Sequence, residues 1–454
     1  MSALLLRRAS PGPGTESDLL IVDGRISAGP IPTGAHAIDL GGRPVLPGLA
    51  DHHVHLLGLA ASWASVDLSP IALDEAGGLA GALRAARARR PEGWLRGVGY
   101  DVAGSGELDH RALDALDAGP VRIQDRTGIR WILDQRGLDQ VLPRDPGEWP
   151  DGVERDGAGR PTGVLVRLDG WLRERLDDAP PDLAGVGAWL AGRGITAVTD
   201  AGAQNGPAEL ALLAAARLPQ RVVGMARDVE VAGPPGIELG PVKVLLDDDR
   251  LPPLDDLAAR IDQAHRSGRA VAVHCVTDVQ VVLALAAGLD HRDRIEHGTY
   301  LPEGLLPALV EAAPTVVVQP GLVATRGDRY LDDHGTDERP ALHRLRSLQA
   351  VGLRVAAGSD APYGPADPWT TLAAAVDRRT PSGRVLGPDE GLDPRTALAL
   401  LTGDPLDPST PRAVRPGAPA DLVILDDGWD RLAHHPDLCA TLRAGVPIAG
   451  TLPA

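Results

Sequence analysis

The chain has 454 residues, with 45 Lys and Arg against 62 Asp and Glu, for a formal charge of −17. That balance argues against a polyanionic partner such as nucleic acid, and no run of about 18 apolar residues is present to span a bilayer. Two cysteines, Cys275 and Cys439, do not make a disulfide framework. The first residues, Met1 to Arg8, place a short apolar run before arginines, the reverse of a secretory signal. The expectation is a cytoplasmic protein acting on a small molecule.

Residues 3 to 48 read as short strands joined by turns, with Asp23-Gly24 as a hairpin signal. Pro47 to Leu56 reads as a strand whose period of two turns His53 and His55 to one side and His52 to the other. Paired imidazoles at a strand's end are a metal-ligand arrangement. Residues 75 to 189 then break the pattern. A helix is expected over Leu79 to Arg89 and strands near Trp94 to Asp101 and Val121 to Arg126, with loops over 143 to 165. From residue 190 strands and helices alternate. Strands end at Asp200, Met225, Lys243 and its neighbours, His274, His297, Gln319 and Asp360, with a helix over Arg339 to Gly352 before the last. With the His53 strand this makes eight, the pattern of a (β/α)8 TIM barrel, an α/β fold. Residues 404 to 454 return to β character. The expected organisation is a composite β-sandwich from 1–48 and 404–454, a barrel from 49–74 and 190–403, and an insertion or lid from 75–189.

Lys243 is singular: it is the one lysine among the 45 basic residues, in the apolar stretch Val242-Lys243-Val244-Leu245. An arginine replaces a surface cation readily but cannot lose its proton and react as an amine. By strand count Lys243 lies on the fourth strand, His274 ends the fifth, His297 the sixth and Asp360 the eighth. Four imidazoles, an amine and a carboxylate at one barrel mouth would repel or go unsatisfied without a cation between them. Cys275 reads as a core residue and Glu296 as support for its neighbours. His265 and His434-His435 read as solvated, and His110, His291, His334 and His343 have no partner at metal spacing.

These pieces together resemble the metal-dependent amidohydrolase superfamily of the binuclear, carbamylated-lysine type: Pro47-Gly48-Leu49-Ala50-Asp51-His52-His53-Val54-His55, Gly194 to Asp200, Lys243, His274, Arg294-Ile295-Glu296-His297, Gly358-Ser359-Asp360 and Pro416 to Val423. The insertion and the stretch Gly358 to Trp369 resemble the branch of N-substituted formamide deformylases. The resemblance implies that Lys243 takes up CO2 to form a carbamate bridging two divalent metals, zinc above all, with manganese, iron or nickel also suited to the ligands. It implies that His53, His55 and Asp360 hold one metal and His274 and His297 the other. The implied reaction is hydrolysis of a non-peptide amide or cyclic amide by a water made acidic between the metals, with Asp360 as general base and then acid. A homodimer is a family-level expectation.

Substrate contacts are expected from Tyr363 after strand 8, Gln319 at the end of strand 7, Arg326 and Arg329 on the loop that follows, and Trp131 and Arg126 of the insertion. Where the branch commonly has a histidine after Arg126-Thr127-Gly128, this chain has Ile129, which departs from a formamide-type pocket. The alternative readings are a mononuclear deaminase of a nitrogen heterocycle, which would not need Lys243, and a catalytically silent scaffold, which would tend to lose ligands.

Overall fold

The computed structural model describes residues 3–176 and 181–453. They divide into two compact units, one from Met1–Leu56 with Leu183–Ala454 and the other from Leu57–Asp182.

The first unit holds eight parallel strands in chain order: β1 (Leu49–Val54), β2 (Ile195–Asp200), β3 (Arg221–Ala226), β4 (Glu238–Leu245), β5 (Val271–Cys275), β6 (Arg294–His297), β7 (Thr315–Val318) and β8 (Arg354–Ala357). β1 and β2 are buried along their whole length, as parallel strands covered on both faces must be. The connecting helices are amphipathic. Leu254–Arg266 buries Leu257, Ile261 and Ala264, opens on Asp255 and Asp256 and closes on Arg266, charges that oppose the helix dipole at each end.

The edge strands β1 and β8 meet through a few specific bonds. The Ala50 amide near the start of β1 and the Ala357 amide at the end of β8 donate to the adjacent Leu401 and Leu400 carbonyls at 2.7 and 2.9 Å. At the far end, the Asp360 amide donates to the His53 carbonyl at 2.7 Å and the His55 amide to the Ala361 carbonyl at 2.9 Å. Gly358 makes this approach possible, since a Cβ there would lie 2.5 Å from the His53 nitrogen. The sheet is thus closed into a barrel at the end that carries the histidines.

The chain ends form two four-stranded sheets. One orders Arg25–Ser27, Ser17–Val22, Ala3–Ala9 and His36–Asp39; the other orders Val446–Gly450, Leu438–Arg443, Leu422–Leu425 and Val45–Pro47. They share an apolar core that includes Leu6, Leu19, Ile21, Ile38, Leu422, Ile424 and Leu442.

The second unit has a six-stranded mixed sheet, with apolar clusters around Leu83, Ile123 and Tyr100 and around Trp131, Leu133 and Leu165. It begins at Leu57 rather than residue 75, because the strand Val66–Asp67 already pairs with Leu95–Tyr100. The expected loop over 143 to 165 is instead partly a hairpin, Val153–Arg155 against Pro161–Val166. The segment after β7 also differs from expectation. Gly321–Asp333 is a 13-residue helix, and the expected helix over Arg339 to Gly352 is reduced to a 3-10 turn at Arg339–Ala341 and a short helix at Arg346–Ala350. Gly321 and Gly327 weaken helix propensity in that segment, yet both serve packing. A Cβ on Gly327 would lie 2.6 Å from Thr380 Cγ2, and one on Gly321 2.7 Å from Pro365.

Candidate active site

At the closing end of the barrel the strands bring the chemical side chains together. The imidazole centroids of His53 and His55 are 5.3 Å apart, those of His53 and His297 4.9 Å, and those of His274 and His297 4.4 Å. Asp360 Oδ1 lies 3.1 Å from His55 Nε2 and 3.5 Å from His53 Nε2. Ligand atoms of His53, His297 and Asp360 all fall within 4.8 Å of one another. A one-residue irregularity in the β1–β2 pairing, between Asp51 and Val54, sits at the histidines; bulges of this kind re-aim side chains next to active sites.

Two of these residues hold backbone angles that a side chain rarely adopts. His297 has φ +77° and Asp360 φ +55°. Left-handed conformations at non-glycine residues cost roughly 1–3 kcal/mol each and persist where the surroundings over-determine them. The seam bonds do so for Asp360. For His297, the following Gly298 amide donates to the Cys275 carbonyl at 2.9 Å.

Support comes from neighbouring strands. Glu296 Oε2 lies 2.5 Å from His53 Nδ1, which leaves His53 Nε2 to face the cluster. Gln319 Oε1 accepts from His297 Nδ1 at 2.9 Å, and the Gln319 amide nitrogen donates to the Val317 carbonyl at 3.0 Å. Asp51 Oδ1 accepts from the Ser359 and His53 amides, and burial raises its carboxyl to about 6.

Several polar atoms in this crowded place lack partners. His53 Nε2, Lys243 Nζ and Glu296 Oε1 are buried and have no hydrogen-bond partner among the described residues. Lys243 is 2% exposed, and burial lowers its amine from the usual range against the opposing pull of Glu296 and Asp360. Burial likewise lowers His53 and His297 well below the usual imidazole value and His274 to about 4. Burial would raise Asp360, but the His55 hydrogen bond and the adjacent imidazoles hold it below its ordinary value. Imidazoles at His53, His274 and His297 lowered by burial, a carboxylate held below its ordinary value and an amine lowered by burial are donors that fit divalent cations.

Of the expected substrate contacts, Tyr363 sets its ring edge-on to His55 at 5.5 Å, and Arg326 Nη2 donates to the Tyr363 carbonyl at 2.6 Å. The others fall elsewhere. Gln319 is 1% exposed with both ends of its amide engaged, so it orients His297 rather than meeting substrate. Arg329 is exposed on its helix and pairs with Asp333 at 3.0 Å, a surface i,i+4 contact. Trp131 is core to the second unit, its indole donating to Asp169 at 2.8 Å, and Arg126 pairs there with Asp101 at 2.9 Å. His52 is 0% exposed and neither ring nitrogen has a partner among the described residues.

A second group, His265, Asp290 and Asp293, also brings its ligand atoms within 4.8 Å. Here every ligand atom already has a hydrogen-bond partner. His265 Nε2 meets Asp293 at 2.9 Å, and Arg292 Nη2 reaches both Asp290 and His265 Nδ1. Asp293 also accepts the Val271 and Asp290 amides. His265 was expected to be solvated and instead holds Asp293, which ties the start of β5 to the turn before β6.

An eight-stranded barrel with this cluster at its closing end defines a hydrolase-like α/β enzyme scaffold, and comparison with known proteins agrees. The model of the amidohydrolase family matches residues 36–449. An N-substituted formamide deformylase of Arthrobacter pascens is 26% identical, over 86% of this chain and 85% of that protein. An uncharacterised metal-dependent hydrolase from Pyrococcus horikoshii superimposes with a TM-score of 0.74 at 21% identity, over 98% of this chain and 99% of that one. An adenosine deaminase from Xanthomonas campestris, solved with bound zinc, does so with a TM-score of 0.55 at 14% identity, over 98% and 92%. The chain belongs to the amidohydrolase family. It is a hydrolytic enzyme.

Proposed function

We propose that the chain is a binuclear, metal-dependent amide hydrolase. His53, His55 and Asp360 would hold one divalent cation, zinc by preference, and His274 and His297 the other. Lys243 would bridge them as a carbamate. The carrying observation is the Lys243 amine, buried at 2% exposure with no partner on Nζ, beside an equally unpartnered His53 Nε2. A buried amine held towards its neutral form is the nucleophile that takes up CO2 and sheds a proton, and the product offers two anionic oxygens where an amine offers one lone pair.

Bound cations would supply an acidic water and polarise the scissile carbonyl. The chain's own part is positioning and proton movement. Asp360, held ionised against His55, accepts a proton from the attacking water at Oδ1 and delivers it to the leaving nitrogen. Glu296 and Gln319 fix the two imidazoles through their Nδ1 atoms. Tyr363 covers His55 from the loop after β8.

His53, His297 and Asp360 alone would serve a single cation, so the number of metals decides between this reading and a mononuclear deaminase. Elemental analysis should find two per chain in the wild type and fewer in Lys243→Ala, which should also lose hydrolysis of N-formyl amines, N-acyl amino acids, hydantoins and lactams. A Lys243→Ala protein that keeps its metals and its activity overturns the proposal.

A further inference from the structure

The helix Gly321–Asp333 carries two arginines, Arg326 and Arg329. Arg329 pairs with Asp333, and Arg384 reaches across to Asp328 and Asp332. Arg326 is the exception: it is half-buried and, among the described residues, sits within ion-pair distance of no carboxylate. Its Nη2 is fixed at 2.6 Å by the Tyr363 carbonyl, Tyr363 lies edge-on to His55 at 5.5 Å, and His55 Nε2 is 3.1 Å from Asp360. The guanidinium is near enough to Asp360 for its charge to act on that carboxylate. Behind it stands Tyr330, partly buried, hydrogen-bonded to Arg326 and packed on His343 at 4.6 Å. A planar cation anchored by the Tyr363 carbonyl and the Tyr330 hydroxyl still has N–H groups to offer in a fixed fork, the geometry that receives a carboxylate.

We propose that Arg326 binds a carboxylate on the substrate, so that this site selects anionic amides such as N-acyl amino acids over neutral N-alkyl amides. The inference rests on the hydrolase reading above. In the reaction the amide C–N bond breaks, a C–O bond forms from water, and the proton leaves on the amine. The carboxylate is untouched and serves only to orient the substrate.

The test uses two matched probes, N-formyl-phenylalanine and its decarboxylated counterpart N-formyl-2-phenylethylamine. With metal-loaded wild type, kcat/KM should favour the acid by on the order of a hundredfold, because a site built for a polar group discriminates strongly against an analogue lacking it. Arg326→Gln should bring that ratio close to one, and Arg326→Lys should fall between, keeping charge without the fork. Calorimetry on metal-free protein gives a second readout: the acid should bind wild type and not Arg326→Gln. A wild-type ratio near one, or a ratio that Arg326→Gln leaves intact, overturns the inference while the hydrolase reading stands. Binding of the acid through Arg326 with neither compound cleaved counts against the hydrolase reading and leaves the anion site standing. Absence of both binding and cleavage overturns the inference.

Discussion

The chain contains two groups of histidine and carboxylate whose ligand atoms crowd within 4.8 Å, and they have opposite characters. At His265, Asp290 and Asp293, Arg292 and two backbone amides occupy the lone pairs, so the group is complete as it stands. At His53, His297 and Asp360, burial is as deep or deeper, yet His53 Nε2, Lys243 Nζ and Glu296 Oε1 have no hydrogen-bond partner among the described residues. Burying polar atoms without partners costs free energy that an evolved fold does not waste. Residue type therefore identifies neither group as a metal site; the unfilled valences distinguish one from the other.

Substitutions would break or sharpen that contrast. The largest effect should come from Lys243→Ala, lowering kcat/KM on the order of 10³-fold or more, about 4 kcal/mol of transition-state stabilisation. Steady-state kinetics beside metal counting checks it. Asp360→Asn should cost about 10²–10⁴-fold in kcat through loss of proton transfer; a rate within tenfold of wild type would remove Asp360 from that role. Glu296→Gln should weaken metal retention about 10–100-fold, as loss of a histidine-orienting partner does, seen by chelator competition.

Acid should loosen the metal-free protein in a defined window. His274 falls from 6.5 to about 4 on folding. The unfolded chain therefore takes up the proton first. The stability contribution is full above pH 6.5 and is lost as pH falls from 6.5 to 4, measurable by denaturant midpoints on chelated protein. The smallest change belongs to the filled group. His265→Ala should leave metal content untouched and lower stability by about 1–3 kcal/mol, by depriving the buried Asp293 of a partner. A lost metal in that variant would erase the contrast.

Much of this was legible in the sequence because barrel strands carry their chemistry at one end. His53, His55, Lys243, His274, His297 and Asp360 could be placed by counting strands. What escaped was the partners chosen across strands, even for Glu296, whose supporting part was expected. Glu296 and Gln319 orient histidines from neighbouring strands, and no local spacing announces either contact. Gln319 was expected at the substrate for that reason. The helix Gly321–Asp333 was obscured by Gly321 and Gly327, chosen for close packing against Pro365 and Thr380 rather than for helix propensity. With it went the distinction between Arg326 and Arg329, which only the folded helix separates into one arginine held at Tyr363 and one on the surface.

The seam between β1 and β8 has a consequence for how this protein can change. Its closing bonds at the active end run through the backbones of His53, His55 and Asp360 themselves. The same three residues thus carry both architecture and chemistry. Drift at these positions is penalised twice, whereas the loops after β7 and β8 can vary without opening the barrel. New substrate preferences in this lineage should accordingly arise around Arg326 and Tyr363, with the seam and its Gly358 inherited unchanged.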